Sequence, residues 1–240
     1  GQDGSVKTRL PSLHGRLTTF ASGPSGQDGD VELLARVADG DVEGLDVTAQ
    51  VTSDGVAVVA DSDRIRSGLR RWRIDACSAA DLPRELPTVA ALLARTTDRN
   101  PFLVTVVGDS VFEAVLTAAR ELGSEVEKRL WLVGQERTDL IRWRPRTGAV
   151  LLLDTARRKV GDGTEKLLAA LHGDDLDGVT MPHGDWSGGT IALAHRFGLR
   201  THASGARHNR ELAAVIDAGI DAVSAEDPIR LAAVAAQYYP

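Results

Sequence analysis

The sequence holds a single cysteine, Cys77, so no intramolecular disulfide can form and the fold does not depend on an oxidising compartment. A cytoplasmic location is the expectation on that ground, although the chain begins at Gly1 rather than Met, as a trimmed N-terminus would. No apolar run approaches about 18 residues and none follows a basic N-terminus, so no membrane-spanning helix and a soluble chain are expected. Basic charge is not in excess: 28 Lys and Arg face 34 Asp and Glu, for a net charge of −6 and a pI near 5.5. Nucleic acid and anionic membrane surfaces both favour a basic field, so neither is expected as the main partner. No Gly-x-Gly-x-x-Gly follows the first strand, which counts against an open dinucleotide-binding sheet. The His-x-His of the barrel metallohydrolases is missing as well.

What is present points to one architecture. At 240 residues with 42 % apolar content the chain suits either one large domain or two small ones, and an α/β barrel uses about 200 to 250 residues as a single unit. Residues 8–13 read as a first strand leading into His14-Gly15-Arg16, and residues 31–38 carry apolar side chains at helical spacing. The clearest stretch is 44–63, where Leu45, Val47 and Val51 precede an Asp54-Gly55 turn and the β-branched run from Val56 to Val59 ends in Asp61 and Asp63. That is strand, tight turn, strand. Residues 61–85, arginine-rich and carrying Trp72, read as an irregular, insertion-like excursion. Leu86-Pro87-Thr88 then opens a helix, with Thr88 as its N-cap.

Beyond residue 100 the pattern is regular. Strands are expected at 102–107, 130–133, 149–153, 177–181, 199–203 and 221–225, each followed by a helical segment. Continuous apolar strands imply burial on both faces. Eight strands, nearly all followed by a helix, predict a single (β/α)8 TIM barrel over residues 1–240, with an open sheet of six or seven strands as the alternative.

Three stretches in this order carry a family resemblance. The segment from Gly44 to Asp63 resembles the second strand and hairpin of the glycerophosphodiester phosphodiesterases, with their Glu-x-Asp, Asp-Gly and Val-Val-x-His-Asp. Leu86-Pro87-Thr88-Val89 is similar to the Ile-Pro-Thr-Leu before that family's third strand, and Ala218 to Pro228 is similar to its Gly-Val-Asp-Gly-Ile-Ile-Thr-Asp-x-Pro. The resemblance implies three carboxylates around a divalent metal, Mg or Ca, with two histidines as acid and base. Carried over position by position, the first histidine falls on His14, with Arg16 able to reach a phosphate, and the second falls on Asp61. Of Glu-x-Asp only Asp46 remains, since Gly44 stands for the glutamate. The third-strand Glu-x-Lys has no counterpart in residues 103–107, and Pro-Glu-Asn-Thr has none beyond Pro24-Ser25-Gly26. A lone carboxylate does not hold a hard divalent cation, so the inherited metal site is expected to be eroded.

The expected rim of C-terminal strand ends adds His183, His202, Asp154, Asp109 and Trp186. His14, His183 and His202 with Asp46 and Asp154 could form a relocated transition-metal site. Trp186, on the loop after the sixth strand, reads equally as a lid over the mouth or as hydrophobic filler. His195 reads as a solvated surface residue. The arginine run from Arg64 to Arg73 reads as a solvated face near the hairpin tip, able to steer a phosphate. The resulting expectation is a phosphodiesterase-like barrel of phosphodiester or lipid metabolism that retains a pocket for a phosphoryl or lipid head-group ligand. Two alternatives stand beside it. One is an active hydrolase with Asp46, Asp61 and Asp109 holding Mg or Ca and His14 as acid or base; the other is a non-catalytic interaction scaffold.

Overall fold

The computed structural model describes residues 7, 9–23, 34, 37, 39–67, 70–82, 86–96 and 99–238. Eight parallel strands close on themselves. In the order of the barrel wall they are β1 (Thr18–Ser22), β2 (Gly44–Val51), β6 (Phe102–Thr105), β7 (Leu130–Gly134), β8 (Val150–Asp154), β9 (Gly178–Pro182), β10 (Arg200–Ser204) and β11 (Ala222–Ala225). The closure is made by β1, which pairs in parallel with both β11 and β2, so the (β/α)8 architecture is the one observed. Around the wall lie α1 (Val89–Arg95), α2 (Asp109–Leu122), α3 (Ser124–Glu127), α4 (Arg137–Trp143), α5 (Arg157–Val160), α6 (Thr164–Gly173), α7 (Gly188–Arg196), α8 (Asn209–Asp217) and α9 (Pro228–Ala235).

The first strand is not where the sequence pattern placed it. Residues 9–13 form no strand, and Thr8 lies outside the described residues; the first strand is Thr18–Ser22. Pro11 supplies the reason, because a proline has no N–H to give a ladder that is bonded on both edges. The helix expected at 31–38 lies almost wholly outside the described residues, of which Leu34 and Val37 are helical. The expected β2 hairpin is present: β3 (Ala57–Val59) folds back antiparallel on β2 through the Asp54-Gly55 turn, with Gly55 at φ +85°. Thr88 caps α1, its hydroxyl accepting from the Ala91 amide at 3.1 Å.

Residues expected to be irregular instead make a second hairpin, β4 (Arg64–Ser67) with β5 (Arg70–Arg73). Its register sets Arg64 opposite Arg73 and Arg66 opposite Arg71, so alternation puts these four arginines on one face and Ile65 with Trp72 on the other. The cross-strand pair Ile65–Trp72 supplies an apolar face that binary patterning by eye hides among arginines.

Register also sorts the barrel lining. Phe20, Leu103, Trp131, Val133, Leu152 and Ala222 form one apolar cluster inside the wall, while the outward residues of the same strands join the larger core beneath the helices. In that outer layer Phe112 of α2 stacks on Trp143 of α4, centroids 4.7 Å apart. Inside, Phe20 meets Trp131 edge-on at 5.3 Å and His202 at 6.0 Å, bridging the N-terminal and C-terminal halves of the lining. Two interior positions admit no side chain. A Cβ on Gly44 would overlap the Pro101 carbonyl, and one on Gly178 would overlap the Arg200 carbonyl.

Overlap with backbone cannot be relieved by a rotamer change, so Gly178→Ala is expected to lower unfolding free energy by about 2 kcal/mol or more. Gly184→Ala, where a Cβ meets nothing within 4 Å, is expected to stay within about 0.5 kcal/mol. Urea titration of the two variants beside the parent protein checks the contrast.

Candidate functional site

Barrel sites are built at the C-terminal ends of the strands, and the polar part of the interior lies there. Alternation along β2, β9, β10 and β11 turns Asp46, Thr180, His202 and Ser224 into the barrel above Phe20. They form one hydrogen-bonded chain. Thr180 Oγ1 lies 2.6 Å from His202 Nδ1, His202 Nε2 lies 2.7 Å from Ser224 Oγ, and Ser224 in turn favours the charged form of neighbouring Asp46. An ionised Asp46 can only accept, so Ser224 donates to it; Ser224 then accepts from Nε2–H, and Nδ1 accepts from the Thr180 hydroxyl. A protonated Asp46 permits the whole chain to run in reverse.

Burial disfavours the charged form of both ionisable members. Burial pushes Asp46 up to about 6, with the charges of Asp61 and Asp154 adding to it and the Ser224 hydrogen bond opposing it. Burial alone takes His202 down to about 3. Above this chain stand the exposed Asp61, after β3, and the half-buried Asp154, at the end of β8. Burial raises Asp154, while neighbouring Lys159 of α5 counteracts it. His183 begins the turn after β9, with Nε2 3.8 Å from Glu211 Oε2.

The structure separates other expected site residues from this mouth. His14 and Arg16 precede β1 and lie at the opposite, N-terminal end, where they line a cavity with Thr18, Trp131 and Asp221. They follow from the displaced first strand: the end of β1 carries Ala21-Ser22-Gly23, and no histidine stands there. Arg16 ion-pairs with Glu43 at 2.7 Å. Trp186 does not overhang the mouth. It is buried between wall and helices, its Nε1 donating to the His202 carbonyl at 2.9 Å, and it forms one wall of an outer groove with Thr155, Met181, Leu168 and Arg157. Asp109 starts α2, where hydrogen bonds from Trp143 Nε1 and then Arg142 hold its carboxyl below the usual range. His195 is not a solvated surface residue: Nε2 lies 2.7 Å from the Asp221 carboxylate.

Ser224 and Thr180, which complete the chain, carry no motif of their own. Their signal was the period of two along each strand, counted from the interior histidine. Asp46, at the centre of the expected metal site, is committed to Ser224, and both ring nitrogens of His202 are occupied. Among the described residues no group of three or more His, Cys, Asp or Glu is arranged to hold a metal ion. The donors present therefore do not fit a hard divalent cation, which takes about six oxygen ligands.

With this geometry in place, comparison with solved structures is informative. A candidate glycerophosphoryl diester phosphodiesterase of Agrobacterium tumefaciens superposes with a TM-score of 0.80 at 15 % identity, over 93 % of this chain and 99 % of that one. The glycerophosphodiester phosphodiesterase of Thermotoga maritima gives 0.74 at 11 %, over 89 % and 96 %. An Oleispira antarctica phosphodiesterase, in complex with the product sn-glycerol-3-phosphate, gives 0.72 at 11 %, over 90 % and 96 %. No family sequence model matches the chain, and no curated protein matches it in sequence. The fold is thus that of the glycerophosphodiester phosphodiesterases, at sequence identities too low to carry more than the fold. No helix among the described residues is long and apolar enough to cross a membrane.

Asp46 and His202 make opposed contributions to acid stability. The folded value of Asp46 lies above its ordinary 3.8, so its stabilisation is complete below that value and is lost as pH rises through about 6. The folded value of His202 lies below its ordinary 6.5, so its stabilisation is complete above 6.5 and is lost as pH falls towards about 3. Each slope is about 1.4 kcal/mol per pH unit, and the two cancel between roughly pH 4 and 6. Asp46→Asn is therefore expected to make the protein more sensitive to acid across that window, and His202→Gln less sensitive. Urea midpoints measured from pH 4 to 7 check both signs; parallel profiles for the two variants would refute the paired burial.

Proposed function

We propose that this chain is a phosphodiesterase-like barrel that binds a glycerophosphodiester, or its phosphoryl or head-group part, at the C-terminal mouth, with little or no metal-dependent hydrolysis. The observation that carries this reading is the chain from Thr180 through His202 and Ser224 to Asp46. Phosphodiester hydrolysis needs charge neutralised at the phosphoryl group and a proton delivered to the leaving oxygen. Here both nitrogens of the interior imidazole are taken up by hydroxyls, and burial disfavours the charged form of both His202 and Asp46.

The rim offers contacts suited to binding. Asp61 and Asp154 can accept from hydroxyls or from an ammonium head group, His183 adds a donor or acceptor at the side, and Lys159 beside Asp154 supplies a cation for the phosphoryl end. Likeness of fold to a phosphodiesterase seen with sn-glycerol-3-phosphate supports the same ligand class.

Calorimetry with glycerol 3-phosphate and glycerophosphocholine, in parallel with choline-release assays containing Mg, Ca or EDTA, tests the reading. The expected outcome is saturable binding that EDTA does not abolish, weakened about tenfold, or 1.4 kcal/mol, by Lys159→Ala, with no metal-dependent turnover. Turnover that requires Mg or Ca and is lost in Asp46→Asn would establish the active hydrolase instead. Absence of binding by either compound would leave the barrel as a scaffold.

A further inference from the structure

The cavity at the N-terminal end of the barrel belongs to neither the mouth nor the fold's established use. It has a volume of about 250 Å3 and is lined by His14, Arg16, Arg99, Trp131, Arg200 and Asp221, with Thr18 and Pro101 closing its edge. Each lining residue sits at the start of a strand or in the loop before one, so the position is set by the barrel itself. Trp131, near the start of β7, and Arg200, at the start of β10, both reach this end of the barrel, and the Arg200 guanidinium lies over the Trp131 ring, 5.2 Å from its centroid.

Charge in this cavity is unbalanced. Among its described lining residues Asp221 is the only acid, and that carboxylate accepts from the Leu13 and Thr201 amides and the Thr201 hydroxyl and lies 2.7 Å from His195 Nε2. Arg16 is paired with Glu43. Neither the Arg99 nor the Arg200 guanidinium makes a hydrogen bond or ion pair with a described residue; Arg200 is half-buried, which works against its charge, while the charges of Asp177 and Asp221 act in its favour. A partly desolvated guanidinium is normally matched by an acceptor, since its five N–H donors lose water without replacement. Stacking on an aromatic face satisfies the flat surface of the group and leaves the in-plane donors unused. In a chain of net charge −6, three arginines around one small cavity are a local departure from the general field.

We propose that this cavity is an anion site for a small dianion of the phosphate-monoester type, held by Arg200 and Arg99 with Trp131 as its floor. Two guanidinium forks converging on one concavity suit tetrahedral oxyanions bidentately, and the volume equals about eight waters at roughly 30 Å3 each, enough for a phosphate group with a short substituent. The site lies at the end of the barrel away from the proposed ligand mouth, so it does not depend on the reading of that mouth.

Inorganic phosphate is the probe, followed by calorimetry and by tryptophan fluorescence of the whole chain, since Trp131 lies against the bound anion. The expected result is a saturable phosphate site that changes tryptophan fluorescence, is weakened at least about tenfold in Arg200→Met and in Arg99→Gln, and persists in Lys159→Ala, where phosphoryl binding at the mouth is weakened. Arg99 is exposed, so Arg99→Gln decides the matter if Arg200→Met fails to fold. Binding insensitive to Arg99→Gln and to a folded Arg200→Met, binding abolished by Lys159→Ala, or no saturable signal up to about 10 mM phosphate would each overturn the proposal.

Discussion

The constraint on which the molecule depends is closure. Because Thr18–Ser22 pairs with β11 on one edge and β2 on the other, no wall strand keeps a free edge, and alternate residues of all eight strands are forced into one enclosed space. Whatever enters that space must be apolar or fully hydrogen-bonded, for water has no route to rescue an orphan group. Phe20, Leu103, Leu152 and Val133 meet the first condition. Ser224, His202 and Thr180 meet the second, and their partners follow from the registers of β9, β10 and β11 rather than from any property of the residues alone.

Closure also explains why Arg200 is exceptional. Its strand neighbour His202 is locked on both ring nitrogens, whereas the Arg200 guanidinium, two residues earlier, lies over the face of Trp131 with the charges of Asp177 and Asp221 acting on it. The interior therefore changes character along its length: acids and neutral hydrogen-bonded groups at the C-terminal end, an apolar belt around Phe20, and guanidinium over indole at the N-terminal end. An apolar belt between two polar ends keeps their charges from interacting strongly, so each end can be tuned independently.

Much of this was readable from residues in order. The repeating strand-helix pattern beyond residue 100 and the Asp54-Gly55 hairpin both followed from local chemistry, because continuous β-branched runs and turn residues act over a few positions. The Thr88 cap was legible for the same reason. The first strand was not: residues 8–13, leading into His14-Gly15-Arg16, read as a strand although Pro11 has no N–H to give a ladder. Moving β1 by ten residues carried His14 and Arg16 from one end of the barrel to the other. The β4–β5 hairpin was hidden because its apolar pair, Ile65 and Trp72, is interleaved with arginines and makes too short a period to stand out.

The site was less legible than the fold because its chemistry is a matter of partners. His202 looks like a ligand when read beside Ser204 and Arg207 in sequence; its neighbours in space are Thr180 and Ser224, each 22 residues away along the chain. A histidine at a strand end can be a base, a ligand or a buried strut, and the choice depends on what the other nitrogen meets. Here both nitrogens meet hydroxyls inside a closed wall, which makes the imidazole a neutral link to Asp46. The barrel thus shares its fold with phosphodiesterases of known structure, while the imidazole inside its mouth is tied to two neighbouring hydroxyls.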